Sequence, residues 1–412
     1  MLDVTTSYLK LLVVFVLLVF LPVNQVIAGE VRMPDWDEVV KTAQGQTVDW
    51  YMWGGSPAVN KYVNGFLAEN LKKKYDITLR QIPVKDIAEV VSKLVVEKQA
   101  GKESGGNVDL MWINGENFRT CKANNLLFGP FAPTLPNIKY VDQKNSAVAN
   151  DFGTPVDDME SPWGSAQMVM IYDSANITDP PQNIPALIDW IRSNPGRFAY
   201  PAPPDFTGSA FIRHFFYNAA GSVEKWQGDY TEEELQDAAE ATYRQLLELK
   251  PFLWRKGATY PESPVRMNTL FADGIIDFSF SYHQGEASRN ILDGLFPESV
   301  RTYVFEEGTI SNTHFVAIPY NAKDKEAAMV VANYLLSPEA QLEKANPNVW
   351  GDFPVLKLDR LPQEWQERYR DLPRGKATLS SSKLQAHQLP EPPSKILIHL
   401  ERGWEKHVLK GR

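Results

Sequence analysis

The stretch VDWYMWGGSPAVNKYV, residues 48–63, decides how the rest of the chain is interpreted. It starts as an apolar run, reaches Trp53, and continues with two glycines, a serine and a proline. Ser56 has a side chain that can cap a helix, and Pro57 suits the first helical position. Apolar residues then recur at helical spacing through residues 59–71. The stretch therefore predicts a buried strand that turns sharply into an amphipathic helix.

The same alternation continues after this helix. We predict a strand near Ile77 to Val84, a helix that Asp86 opens, and a third strand, VDLMWI, at residues 108–113. That strand also ends with an aromatic residue, Trp112. Because these strands are apolar runs and do not alternate with polar residues, they suit a parallel sheet that is buried on both faces. The order predicts an α/β fold with helices on both faces of the sheet.

The second half of the chain repeats this arrangement. A Pro-containing crossing at residues 161–164 leads to a predicted helix at 184–193, a predicted strand RFAYP at 197–201 and another helix that begins near residues 206–209. A later strand ends at Tyr282. The chain has 412 residues, more than the ~250–300 at which a single core stops growing, so we expect two lobes.

The first 28 residues have the pattern of a secretory signal peptide, with Lys10, an apolar run and the small-residue sequence Val26-Ile27-Ala28. A retained membrane anchor is the alternative, but the run is shorter than the roughly 18–20 apolar residues of a membrane span. The only cysteine, Cys121, lies far from the cleavage site, so no lipid-acceptor cysteine follows it. We expect a soluble periplasmic protein in which Cys121 is a small buried hydrophobe.

Composition argues against several classes of function. The net charge of −9 disfavours nucleic acid partners. The six histidines are scattered and no cysteines are paired, so the sequence has no metal-ligand pattern. It also has no phosphate-binding loop, and we expect no cofactor.

Four strand-to-helix junctions place aromatic or hydroxyl side chains beside glycines. In open α/β sheets, ligands bind outside the carboxyl ends of the strands, where helix amino termini offer free N–H groups. Two of these junctions come from each half of the chain, so a cleft between two lobes would collect all four. The junctions are residues 53–56, 112–117, 206–209 and 282–285.

An enzyme is the rival interpretation. Gly54-Gly55-Ser56-Pro57-Ala58 approaches the G-x-S-x-G elbow of serine hydrolases, with Ser56 as the nucleophile. However, the last position is alanine, and a proline directly after the serine removes an N–H that the oxyanion hole uses. A secreted hydrolase remains an alternative, as does a binding protein for a neutral sugar.

Several stretches resemble bacterial ABC-transporter solute-binding proteins of the type 2 periplasmic fold. The markers are YMWGGSPAVNKYV, DLMWINGENF, the PWG crossing, IPALIDWIRSNPGRFAYPAPPDFTGSAF and THFVAIPYNAKDKEAAMVVANYLLSPEAQ. Within this class the chain looks most like the YnjB group, which is itself similar to thiamine and polyamine binders. The resemblance covers nearly all of the mature chain.

This resemblance implies a non-catalytic receptor, and a monomer, that closes two lobes around a small polar or cationic solute. The solute would then be delivered to an ABC permease in the inner membrane. The implied lobes are residues 29–160 with 308–345, and residues 161–307 with 346–412. The implied ligand contacts are Trp53, Gly54, Gly55, Ser56, Trp112, Asn114, Glu116, Trp163, Thr207, Gly208, Ser209 and Tyr282.

Overall fold

The structure is a computed structural model that describes residues 35–411. The predicted signal peptide lies outside the described residues. Within residues 35–411, no helix combines the length and the hydrophobicity that crossing a bilayer requires.

The described chain contains helices and strands in alternation, with two π-helical segments (Tyr62–Leu67 and Trp404–Leu409) that extend neighbouring helices. The α-helices are α1 (Trp36–Ala43), α2 (Pro57–Lys61), α3 (Ala68–Tyr75), α4 (Ala88–Gln99), α5 (Gly115–Ala123), α6 (Ser146–Ala149), α7 (Ile184–Ser193), α8 (Phe206–Ala220), α9 (Glu232–Leu249), α10 (Pro264–Ala272), α11 (Glu286–Leu292), α12 (Lys325–Leu335), α13 (Pro338–Ala345), α14 (Gln363–Arg370), α15 (Ser381–Gln385) and α16 (Ser394–Gly403). The strands are β1 (Thr47–Trp53), β2 (Thr78–Val84), β3 (Leu110–Ile113), β4 (Asn150–Asp151), β5 (Thr154–Pro155), β6 (Glu160–Gln167), β7 (Val169–Asp173), β8 (Phe278–Ser281), β9 (Val300–Tyr303), β10 (Thr309–Ala317) and β11 (Gln388–Pro390).

The first lobe is built around a six-stranded sheet in the order β11-β10-β3-β1-β2, with β6 also paired to β10. Strand β1 is parallel to both β2 and β3, as the sequence predicts. Trp50 and Met52 of β1 belong to one buried cluster, while Tyr51 packs against another. Since neighbouring residues of a strand point to opposite faces, helices cover both sides of this sheet.

The second lobe has a smaller sheet in the order β8-β7-β9, and both of its strand pairs are antiparallel. The parallel pairing predicted for the chain is thus found in the first lobe. The predicted strand RFAYP is not a strand. The carbonyls of Arg197 and Phe198 accept single hydrogen bonds from Asp277 and Trp254, and no ladder continues beyond them. Phe198 and Tyr200 are buried in the core, which explains the apolar pattern without a sheet.

Strands β6 and β10 connect the two lobes. They pair antiparallel over most of their length. Trp163 and Val316 belong to the core of the first lobe, whereas Ala166 and Ile310 belong to the core of the second. The two strands therefore cross from one core to the other, as the PWG crossing predicts.

The predicted boundary between the lobes at residue 346 stays a prediction. Four side chains beyond this point are buried in the first core, and Ala377 is among the first to rejoin the second. The four are Trp350, Leu356, Leu361 and Tyr369. The sequence did not reveal this because a Pro-rich segment of short helices carries no signal of which core it covers.

Candidate functional site

The first junction lies at one edge of the first sheet. Trp53 ends β1 and is 47% exposed. A Cβ atom on Gly54 would overlap Pro83, and one on Gly55 would overlap the indole of Trp53. The glycines therefore allow the ring of Trp53 to lie over its own turn. This geometry leaves an exposed aromatic surface beside the start of a helix.

Ser56 has a structural partner at this junction. Its Oγ accepts a hydrogen bond from the N–H of Val59 at 3.4 Å, which is the contact of a helix cap. Among residues 35–411, no hydrogen bond joins Ser56 to a histidine. A hydrolase needs a base within hydrogen-bond reach of its nucleophile, and this arrangement does not provide one.

The third junction is the amino terminus of α8. Asp205 caps this helix, since its Oδ1 accepts hydrogen bonds from the N–H groups of Thr207 at 3.0 Å and Gly208 at 2.9 Å. A Cβ on Gly208 would overlap the carbonyl of Pro201, so this glycine allows close packing. Ser209 is buried, and its Oγ accepts a hydrogen bond from Arg213 at 2.7 Å. Thr207, Gly208 and Ser209 thus hold the end of α8 in place.

A buried ion pair joins α8 to the segment after β11. Nε of Arg213 lies 2.8 Å from Oε2 of Glu391, and both side chains are almost completely buried. The hydroxyl of Tyr282 donates a hydrogen bond to Glu391, and Asn312 donates a weaker one at 3.4 Å. Burial raises the pKa of the Glu391 carboxyl, while Arg213 opposes that rise. The hydroxyl of Tyr282, at the fourth junction, is therefore already bonded to Glu391 of this ion pair.

Aromatic rings connect this ion pair to the second junction. The ring of Phe206 lies 5.1 Å from Tyr282 and 6.2 Å from Phe152, measured between centroids. The guanidinium of Arg213 lies 5.6 Å from the centre of Phe206 and 5.7 Å from that of Phe152. Phe152 in turn lies against Gly115 at the amino terminus of α5. The starts of α5 and α8, from different lobes, thus meet across these rings.

Carboxylates collect near the starts of α5 and α8. Burial raises the pKa of Glu116 to about 7; its own N–H opposes the rise, and the charge of Glu401 adds to it. Burial also raises the pKa of Glu401, although a hydrogen bond from Ser209 works against this. Asp151 is buried and accepts the N–H of Gly115 at 2.7 Å, yet its pKa is raised well above the ordinary value, mainly by burial.

Glu116 and Glu401 have no cationic partner in the structure. Neither carboxylate takes part in any of the ion pairs among residues 35–411, since the nearby Arg213 is paired with Glu391. We call Glu116 and Glu401 the acidic pair of the cleft. A partly buried carboxylate without a counter-charge is costly to ionise, so this pair favours a bound cation.

A second charged cluster lies against the crossing strands. Nζ of Lys344 lies 2.6 Å from Oδ2 of Asp352, and both side chains are fully buried. The ammonium also donates to the carbonyl of Trp163 at 2.8 Å and lies 5.4 Å and 5.5 Å from the rings of Trp163 and Trp350. Trp163 is 0% exposed, so in this conformation its indole faces this lysine.

Trp112 links this cluster to the sheet edge. Its ring lies 4.9 Å from Trp163 and 6.2 Å from Trp350. His283, in the fourth junction, stacks on Trp350 at 6.0 Å, so Trp350 bridges the second and fourth junctions. Asn114 has an extended backbone before α5 and its side chain makes no capping hydrogen bond.

The structure thus brings three predicted junctions together, at residues 112–117, 206–209 and 282–285. The first junction, with Trp53, lies at the edge of the sheet formed by the ends of β1 and β3. Arg213, Glu391 and Glu401 were not predicted from the sequence. The lone arginine inside the apolar run FIRHFFY could have indicated a buried ion pair. Glu391 lies in LPEPPS, a pattern that predicts only a turn.

Two expectations about single residue types can be compared with the structure. Cys121 is buried, as predicted, and burial raises the pKa of its thiol to about 12. Within the described part of the chain, no three His, Cys, Asp or Glu side chains are grouped so that they could hold a metal ion.

Known proteins that are similar to this chain include solute-binding proteins. Residues 67–369 match the family model described as bacterial extracellular solute-binding protein. The protein YnjB of Escherichia coli is 41% identical over 333 residues, which cover 81% of this chain and 85% of YnjB.

Solved structures share the fold at lower identity. The spermidine/putrescine substrate-binding protein PotD of Streptococcus pneumoniae aligns with a TM-score of 0.58 and 16% identity, covering 87% of this chain and 99% of PotD. A periplasmic thiamin-binding protein aligns with a TM-score of 0.57 and 15% identity, covering 89% and 96%. These neighbours support the predicted type 2 periplasmic fold.

Proposed function

Because the chain belongs to the family of bacterial extracellular solute-binding proteins, we propose that it serves an ABC importer as the receptor that captures a small cationic solute between its two lobes. The solute is then passed to a permease in the inner membrane. The protein acts as a periplasmic monomer, freed from its signal peptide and without a lipid anchor. Structural neighbours named for spermidine/putrescine and for thiamin support this class of solute.

The acidic pair of the cleft is the observation that carries the proposal. Glu116 stands at the amino terminus of α5 in the first lobe, and Glu401 on α16, which packs in the second. A cation between them would offset two partly buried charges that have no counter-ion among residues 35–411. Charge-assisted hydrogen bonds of this kind contribute about 1.5–3 kcal/mol each.

The aromatic residues at the sheet edge provide the stacking surface for the solute. The exposed ring of Trp53 and the half-buried ring of Trp112 form the walls against which the solute stacks. A cation over a tryptophan face gains about 0.5–2 kcal/mol. Asn114, whose side chain caps nothing, and the N–H of Gly55 fix the orientation of the solute.

The proposal predicts a distinctive pH dependence. Cation binding favours the ionised form of Glu116, whose pKa in the free protein is about 7. Below pH 7 the solute must displace a proton, so its affinity falls as the pH is lowered. We expect binding at pH 6 to be about tenfold weaker than at pH 8.

Calorimetric titration tests this directly, with putrescine, spermidine and thiamine as cationic probes and glucose as a neutral one. We expect at least one cation to bind, with heats that are lost in Glu116→Gln and retained in Glu69→Gln, an exposed control on α3. Binding of glucose but no cation, or binding by Glu116→Gln equal to wild type, would contradict the proposal and favour the neutral-sugar alternative.

A further inference from the structure

A second concave surface lies along α16. It is a groove of about 490 Å³ between α5, α9, α16 and the π-helical turn at Trp404–Leu409. Its polar walls are almost entirely basic. We call it the basic groove and define it by Arg119, Lys395, His399, Arg402, Lys406 and His407.

The basic side chains come from separate elements. Lys395, His399, Arg402 and Lys406 follow one another at i, i+4, i+7 and i+11, so they lie along one face of α16 and its extension. Arg119 is contributed by α5 of the first lobe, which packs against α16. The groove therefore joins charges from both lobes.

Helix polarity does not account for this grouping. Basic residues near a helix C-terminus are favoured by the helix dipole, which suits Arg402. Lys395 is in the first turn of α16, where the dipole disfavours a cation, and Arg119 lies in the middle of α5. The concentration of charge is also contrary to the net charge of −9 for the whole chain.

Most of these charges have no acidic partner. Lys395 pairs with Glu232. Arg119, Arg402 and Lys406 take part in none of the ion pairs found between residues 35 and 411. Several like charges around a concavity focus a positive potential there, and an anion would offset it.

The floor of the groove is apolar and aromatic. A Cβ on Gly403 would overlap the hydroxyl of Tyr243, so glycine at this position lets Tyr243 reach the base. The ring of Tyr243 stacks on His407 with 5.4 Å between centroids, and its hydroxyl donates to the carbonyl of His399 at 3.1 Å.

We propose that the basic groove is an anion site that binds the phosphate group of a small organic phosphate or of a lipid headgroup. Arg119 and Arg402 present guanidinium forks, which match phosphate oxygens in geometry and charge. Lys406 and the imidazoles of His399 and His407 supply further donors. This proposal does not depend on which solute the cleft binds.

Calorimetric titration with inorganic phosphate and glycerol phosphate, at ionic strength matched with potassium chloride, tests the free-ligand source. Because Arg119 and Arg402 are exposed, their replacement by alanine is expected to leave the fold intact. We expect Kd for phosphate to rise at least tenfold in Arg119→Ala and Arg402→Ala. Arg374→Ala, which removes an exposed arginine outside the groove, should bind as wild type does.

Sedimentation with vesicles distinguishes the lipid source. Capture by phosphatidylglycerol vesicles and not by phosphatidylcholine vesicles, lost in both groove variants, would assign the phosphate to a headgroup. Binding of free phosphate without vesicle capture would assign it to a soluble ester. If neither probe binds beyond the chloride control, or if the groove variants bind as tightly as Arg374→Ala, the anion site is refuted.

Discussion

Two buried charged clusters of this protein differ in one respect, which is whether their charges are balanced. Against the crossing strands, Lys344 and Asp352 form a fully buried pair, and His314 lies 3.2 Å from the same carboxylate. In the cleft, Glu116 and Glu401 lie near each other without a cation of their own. The charges of the first cluster are balanced within the fold, and those of the second are balanced only when a cationic ligand is bound.

The pKa values express this difference. Burial raises the pKa of Asp352, but Lys344 and then His314 outweigh it, so the net pKa lies below the ordinary value. Burial raises the pKa of Glu116 to about 7, and no neighbouring cation reverses that rise. A balanced buried charge maintains structure, whereas an unbalanced one marks a place where binding energy is available.

The largest expected effect is on the balanced cluster. Lys344→Met would leave the carboxylate of Asp352 buried without its main partner, at a cost of about 3–5 kcal/mol in the free energy of unfolding. Urea denaturation measures this cost. Lys357→Met provides the matched control, because Lys357 pairs with Asp142 near the surface at 3.2 Å and should cost at most about 1 kcal/mol.

The double variant Lys344→Met with Asp352→Leu sharpens this prediction. Removing both charges also removes the penalty for a lone buried carboxylate, so we expect most of the lost stability to return. A double variant as unstable as Lys344→Met alone would show that packing around Trp163 and Trp350 dominates, and that charge balance does not.

For the unbalanced cluster we expect the opposite: removing a charge should increase the free energy of unfolding. Between pH 4.5 and 7 the folded protein keeps a proton on Glu116 that the unfolded chain loses, so stability falls as the pH rises through this range. Glu116→Gln avoids that loss. We expect the ligand-free variant to be about 1–3 kcal/mol more stable than wild type at pH 8 and equal to it near pH 4.5.

Urea denaturation of wild type and Glu116→Gln at pH 8 and pH 4.5 measures this difference in stability. Glu69→Gln should show no such pH-dependent difference. A Glu116→Gln variant that is less stable than wild type at pH 8 would mean that Glu116 already has a favourable partner in the free protein, and the contrast between the clusters would fail.

The smallest effect on stability is expected at Trp53. Since its side chain is about half exposed, Trp53→Ala should change the free energy of unfolding by no more than roughly 0.5 kcal/mol. Trp163→Ala, at a fully buried ring, should cost about 3–5 kcal/mol. Denaturation without solute measures both, and a large loss at Trp53 would assign it to the core and remove it from the proposed wall.

The local features of the fold were readable from the sequence. The strand ending at Trp53, the cap at Ser56 and the helix at Ile184–Ser193 each depend on neighbouring residues, and the structure has all three. Strand RFAYP was wrong because burial by tertiary contacts produces the same apolar pattern as a sheet.

The charges of the site were much less predictable. The resemblance to solute-binding proteins implied Glu116 as a ligand contact. Glu401 and Glu391 come from the last part of the chain, and only the packing of α16 against α5 and α8 brings that part to the cleft. Arg213 is close to Glu116 in space but is paired with Glu391, 178 positions later in the chain. Such long-range pairings leave no local pattern.

The central claim is that the acidic pair takes a cation, and native mass spectrometry of the purified protein tests it most directly. The account predicts that wild type and Glu69→Gln carry a solute with one or more basic nitrogens, and that Glu116→Gln is free of it. A neutral or anionic solute in the wild-type protein, or the same cation retained by Glu116→Gln, would contradict the account.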